Sequence, residues 1–175
     1  MDIKALAQDA APYVVERRHY YHQHPELTGE EKNTRDAIHR DLEALGITDI
    51  HEMETCYGLT ATIHGGKPGK TVALRADIDA LPVKEETGLP FASHNEGKMH
   101  ACGHDMHAAT LLGAAHILKA HESELKGTVK LFFQPGEEGY NGSDEAIAEG
   151  VLENPHVDRA FAMHVVSTCL LYTSD

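Results

Sequence analysis

The sequence predicts an α/β fold built as one layered domain, and three observations carry that expectation. Strand-like runs rich in β-branched and aromatic residues alternate with stretches of helical periodicity. The residues that bear chemistry fall just after the strand-like runs, or at the start of the helix between two of them, where α/β proteins gather function. No internal repeat or low-complexity linker divides the 175 residues, whose 41% apolar and 25% charged content is ordinary for a globular chain able to bury a substantial core.

In chain order, residues 2–23 carry Ile3, Leu6, Ala10, Tyr13, Val14 and Arg17 at three- and four-residue spacing, which predicts a helix. Pro12 is expected to kink or restart it. His19, His22 and His24 are read as structural, since no thiol or carboxylate accompanies them at comparable spacing except Glu26 beyond a proline. Thr28 looks like an N-cap followed by first-turn acids Glu30 and Glu31, and Ile38, Leu42 and Leu45 give the buried stripe of a second helix ending at Gly46. Strands are expected near residues 47–54, 59–64 and 72–76, the last being the most buried by composition, with a turn at 65–69. Residues 104–120 place Ala108, Leu111, Leu112, Ala115 and Leu118 on one helical face. A strand follows over 127–135, a short helix over 143–149 and a last strand over 157–164.

The chemistry concentrates between Met99 and His107, where Cys102, His104, His100, His107 and Asp105 share nine positions. Gly103 lets a tight turn bring the Cys102 sulfur and a His104 nitrogen to one point, as a metal site needs. A buried free cysteine beside solvated histidines explains this stretch alone equally well. Two later stretches tip the balance. The 127–135 strand runs into Glu137 and Glu138, whose side chains should face opposite ways in extended backbone, one towards a metal and one towards what the metal activates; the last strand ends in His164. Asp77 and Asp79, one residue apart at another strand end, are costly together unless a cation or solvent compensates them.

A formal net charge of −13 with no basic run excludes nucleic acid as a partner. The N-terminus is broken by charge before any apolar stretch long enough for a signal peptide or a membrane span, so no membrane partner and a cytoplasmic location are expected. Cys56, Cys102 and Cys169 are too irregularly spaced for a zinc ribbon or a disulfide framework and are expected as reduced thiols. Cys102, at a helix start among cations, is expected to be a thiolate near neutral pH.

Several motifs in fixed order carry a resemblance. Arg18, His22, His24, Pro25 and Glu26, the runs from Leu74 to Pro82, from His100 to His107 and from Phe133 to Gly139, and then Ala162 to Val165 together resemble the M20 family of metallopeptidases and amidohydrolases. The similarity is to the branch of hippurate hydrolase, N-acyl-amino-acid amidohydrolases and auxin-conjugate hydrolases. It implies a zinc-peptidase-like catalytic domain with a central mixed sheet flanked by helices. It further implies two divalent ions, zinc, manganese or cobalt, and hydrolysis of the amide of a small N-acyl amino acid. Carried over by position, Cys102, His104, Glu138 and His164 match metal ligands, Glu137 the general base, and Asp79 the acid that supports the metal site. Asp77 and Asp105 are weaker candidates for supporting the ligands. His107 matches a recurrent family position without an argued role.

Beyond Val165 the pattern departs from the family. Residues 1–165 therefore read as the N-terminal part of the catalytic domain, truncated before the lid or dimerisation domain, and 166–175 as a tail that need not be native. The full-length protein is expected to be the active enzyme, a homodimer through the missing domain, and the fragment inactive. A dipeptidase or carboxypeptidase of the same family, or a non-catalytic metal-binding module, are the alternatives. A cysteine-nucleophile hydrolase would leave Glu137, Glu138 and His164 without work.

Overall fold

The computed structural model describes residues 2–140 and 142–166. The tail expectation, and Cys169 with it, therefore falls largely outside the described residues.

Helix α1 (Ile3–Gln23) starts where the Asp2 carboxylate accepts the Ala5 N–H at 3.2 Å, and it passes through Pro12 without a break. Helix α2 (Lys32–Ala44) begins later than its acidic run suggested. Glu31 stands at its N-cap without capping it, because its carboxylate is used elsewhere, as is the Thr28 hydroxyl. Strands β1 (Ile50–Glu52), β2 (Leu59–His64) and β3 (Lys67–Asp77) follow. The expected turn at 65–69 is partly absorbed into β3, whose register slips between Lys67 and Thr71. Helix α3 (His104–Ala120), β4 (Lys126–Gln134), α4 (Gly142–Ala148) and β5 (Arg159–Ala162) complete the order, close to the expected bounds.

The sheet runs β1-β2-β4-β3-β5. The β1–β2 and β2–β4 pairs are antiparallel, while β4–β3 and β3–β5 are parallel, which makes the sheet mixed. Helix α3 is the crossover that two parallel neighbours require. Because β4 lies on one side of β3 and β5 on the other, the chain reverses its direction of travel across the sheet at β3. The C-terminal ends of all three parallel strands therefore open at one crevice.

Alternation along β4 sorts the layers. Leu131 and Phe133 join Tyr21, Ile38, Leu42, Leu59, Ile78 and Leu112 in the main core under the helices, whereas Phe132 packs with Met53, Cys56, Ala146 and Val151 on the opposite face. Each fully buried Leu, Ile or Phe contributes about 1.5–3 kcal/mol by leaving water. β2 and β4 are more deeply buried than β3, contrary to the composition of 72–76, because β3 borders a short edge strand whose four residues are all exposed. Among the described residues no helix is long and apolar enough to cross a membrane.

Candidate metal centre

Three elements meet at the crevice. Gly103, at φ 93°, turns the chain into α3 with a conformation that costs a side-chain-bearing residue dearly, and it sets Cys102 just before the helix and His104 in its first turn. Gly136, at φ 65°, turns the chain out of β4 so that Glu137 and Glu138 sit in a turn. The expected strand-like alternation of that pair is thus replaced by a turn that brings both carboxylates to the same imidazole. β5 ends at Ala162 and leads to His164.

The donors converge. Cys102 Sγ lies 3.6 Å from His164 Nε2, and His104 Nε2 lies 3.8 Å from Glu137 Oε2, 3.7 Å from Glu138 Oε1 and 3.6 Å from Asp77 Oδ1. Cys102, His104 and His164 form one group of donor atoms within 4.8 Å of one another, His104, Glu137 and Glu138 form a second, and Asp77, His104 and His107 a third. His104 belongs to all three groups and so joins them.

The donor chemistry fits a cation. His104 Nδ1 meets the backbone oxygen of Asp79 at 2.9 Å, and a carbonyl only accepts, so the ring carries its proton there. Nε2 is buried and has no hydrogen-bond partner among the described residues, yet carboxylate oxygens of three residues surround it just beyond hydrogen-bond reach. Two ligands about 2.0–2.3 Å from one tetrahedral ion stand about 3.3–3.8 Å apart, and the separations here are 3.6–3.8 Å. Burial works against a charge on His104, but its Asp79 hydrogen bond and the Asp77 charge outweigh burial and raise its pKa.

Supporting side chains are closely tied. Asp79, 1% exposed, accepts from the Thr28 hydroxyl at 2.6 Å and from the Glu138 N–H at 2.9 Å. Burial alone would raise its pKa, but hydrogen bonds from His104, Thr28 and the Glu137–Glu138 backbone bring it down to about 2. Asp77, fully buried, takes His107 Nδ1 at 2.5 Å and faces Arg75 Nη1 at 2.7 Å. Its pKa too is lowered, since His107, His104 and Arg75 overcome its burial. Asp105 is not brought to the donors. Its Oδ2 takes His22 Nδ1 at 2.8 Å and Arg18 Nε at 2.9 Å in a separate buried network.

The thiolate expected at Cys102 depends on a cation beside it, because the protein's own groups favour the thiol. Burial pushes its thiol up to about 12, and the hydrogen bond and charge of Glu138, then the charges of Glu137 and Asp77, push the same way. Its neighbours are anions, so a nearby cation is what would stabilise the ionised sulfur.

Sequence reasoning missed Thr28 and Glu31, both read as helix-start residues. Glu31 is fully buried and its Oε1 accepts the Gly136 N–H at 2.9 Å, bracing the turn that carries Glu137 and Glu138. No local pattern marks them, because the loop before α2 reaches the site through the Leu27–Ala80 bridge and the bond from Ala80 N to the Glu26 oxygen.

Comparison with known proteins agrees with this geometry. The model of peptidase family M20/M25/M40 matches residues 73–173. N-acetyl-L-cysteine deacetylase of Bacillus subtilis (strain 168) is 46% identical over 171 residues, covering 93% of this chain and 40% of the relative. Thermostable carboxypeptidase 1 of Saccharolobus solfataricus is 41% identical over 172 residues, covering 95% of this chain and 42% of the relative. The crystal structure of the Bacillus subtilis YXEP protein, described as a dinuclear metal binding peptidase from the M20 family, superposes with a TM-score of 0.84 at 41% identity, covering 96% of this chain and 45% of that one. The chain thus spans less than half the length of these relatives. A match over more than half of its residues, together with this sheet and donor set, shows that the chain belongs to peptidase family M20/M25/M40.

Proposed function

We propose that this chain is the N-terminal part, residues 1–165, of the catalytic domain of an amidohydrolase that cleaves N-acyl amino acids. Cys102, His104, Glu138 and His164 hold two divalent ions in the complete protein, and Glu137 carries the proton. The observation that supports this most directly is the bare, buried Nε2 of His104 facing carboxylates at 3.6–3.8 Å, beside Cys102 and His164 at 3.6 Å. The deacetylase relative supports the substrate class.

Divalent ions bound there supply Lewis-acid polarisation of the scissile carbonyl and a lowered pKa for the attacking water. Glu137 has the more exposed side chain of the pair, 38% against 21% for Glu138, and so is open to incoming substrate. Its carboxylate takes a proton from the water as oxygen adds to the amide carbon. It then returns that proton to the amide nitrogen as the C–N bond breaks, releasing a carboxylate and an amine. Asp79 keeps the His104 proton on Nδ1, leaving Nε2 as the donor, and ties the Glu138 backbone to the same acid.

A second reading is cleavage of the peptide bond of a dipeptide or at a peptide's C-terminus, supported by the similarity to the carboxypeptidase. Both substrates present an amide beside a free carboxylate. Assay of the complete, metal-loaded protein against N-acetyl, N-benzoyl and longer N-acyl amino acids and against dipeptides decides between them. Undiminished turnover after chelation would overturn the metal-dependent reading altogether.

Among the described residues the four proposed ligands must serve two ions, short of the three or more protein ligands that hold each catalytic zinc. The β5 edge is exposed, with Phe161 59% accessible. The fragment is expected to be poorly soluble or partly folded, to bind at most one divalent ion usefully and not to hydrolyse N-acyl amino acids. Elemental analysis of purified fragment, beside an amide-hydrolysis assay, checks this. Two tightly bound ions with turnover would show that the stretch is sufficient. In the complete protein, a homodimer through the further domain belongs to the same proposal.

A further inference from the structure

His107 has no part in the chemistry above, yet it is 2% exposed and both its ring nitrogens are engaged. Val165 donates its backbone N–H to Nε2 at 2.9 Å. A backbone N–H can only donate, so Nε2 is bare and the ring proton sits on Nδ1, where it is given to Asp77 Oδ1 at 2.5 Å. The other Asp77 oxygen faces Arg75 Nη1 at 2.7 Å. The result is a line from the end of β3, through the His107 ring, to the backbone immediately after His164.

That line matters because strand pairing stops at Ala162. Among the described residues, the other hydrogen bonds of the segment 163–166 are the local one from His164 Nδ1 to the Val165 oxygen at 2.7 Å and the Cys102–His164 approach itself. The His107 and His164 rings also stand edge to face, with centroids 4.8 Å apart. His107 lies three residues beyond His104 on the same face of α3, so one helix presents His104 and grips the segment that presents His164.

We propose that His107, as its Nδ1–H tautomer, is the positioning residue that sets His164 against Cys102 and His104. The proposal rests on reading His164 as a metal ligand, and its test separates the two.

In the complete protein, cobalt(II) is titrated into the unsubstituted form and into His107→Asn, His107→Gln and His164→Ala, following affinity and the sulfur-to-cobalt absorption. The asparagine amide reaches only the Nδ1 position and satisfies Asp77, whereas the glutamine amide reaches the Nε2 position and can accept from Val165. His107→Asn is expected to weaken one ion about 10-fold and shift its absorption, the low end of what removing a group that orients a ligand costs. His107→Gln restores most of both, and His164→Ala loses that ion. In the metal-free unsubstituted protein, nitrogen-15 NMR of His107 should show the proton on Nδ1 and a through-hydrogen-bond coupling to the Val165 amide.

A folded His107→Asn with unchanged affinity and spectrum, beside a His164→Ala that loses the ion, overturns the proposal alone. So does a proton found on Nε2, which needs no variant to fold. Unchanged binding by His164→Ala overturns the ligand reading, and the proposal with it.

Discussion

Glu31 and Gly136 lie 105 positions apart in the chain and are joined by a 2.9 Å hydrogen bond, the Gly136 N–H donating to Glu31 Oε1. The carboxyl group is fully buried, and its second oxygen has no hydrogen-bond partner among the described residues. Burial raises its pKa, against hydrogen bonds from its own N–H and those of Gly29 and Gly136. Glu31→Gln keeps an acceptor for Gly136, while Glu31→Ala leaves a buried N–H unpaired at about 1–3 kcal/mol. Urea unfolding should therefore rank Glu31→Ala clearly below Glu31→Gln. Equal losses would mean that the bond does not brace the turn.

Gly103 combines φ 93° with the closest approach at the site. A Cβ built there would stand 2.5 Å from Val165 Cγ2. Gly103→Ala should lose about 1–2 kcal/mol from the left-handed conformation alone. It should also displace the segment bearing His164, so metal affinity falls together with stability. Denaturant melts paired with cobalt titration measure both, and unchanged affinity would show that the segment yields without moving the ligand.

The adjacent carboxylates should separate by role. In the complete protein Glu137→Gln is expected to lower turnover by about 10²–10⁴-fold with metal content nearly intact. Glu138→Gln should lose metal. Elemental analysis beside steady-state kinetics reads both, and the reverse pattern would mean that the two roles are exchanged.

His22 offers a test by pH. Its Nδ1 lies 2.8 Å from Asp105 Oδ2 and its Nε2 3.2 Å from Glu85 Oε1, with Arg18 on the same Asp105 oxygen and Phe91 edge-on to the ring. The Asp105 hydrogen bond raises the His22 pKa; burial opposes it, and the Asp105 charge and Glu85 reinforce it. A pKa raised by folding gives stability that is fully present below the unfolded value of about 6.5 and is lost as pH rises through the folded value. NMR titration of the ring should find a midpoint above that of a free histidine, and His22→Gln should flatten this part of the stability profile. A midpoint at or below the free value would mean that the ring is buried neutral.

The sequence by itself determined the elements and pointed to the candidate donors. Helix α3 follows from apolar residues at three- and four-residue spacing, β2 from a short β-rich run before a glycine turn, and Cys102, His104, Glu137, Glu138 and His164 from where they stand after those elements. Such signals are local, since a helix or strand repeats within a few residues. Only the tertiary structure decided what those donors face. Strand order carried β4 and β5 to opposite sides of β3 and so opened the crevice. Thr28, Glu31 and His107 find hydrogen-bond partners 51, 105 and 58 positions away, at separations where no periodic pattern exists. What surrounds Cys102 was decided there as well: a helix start favours a thiolate, but burial and the carboxylates delivered by β3 and by the turn after β4 push the thiol pKa up, so that a cation is what would stabilise the ionised sulfur.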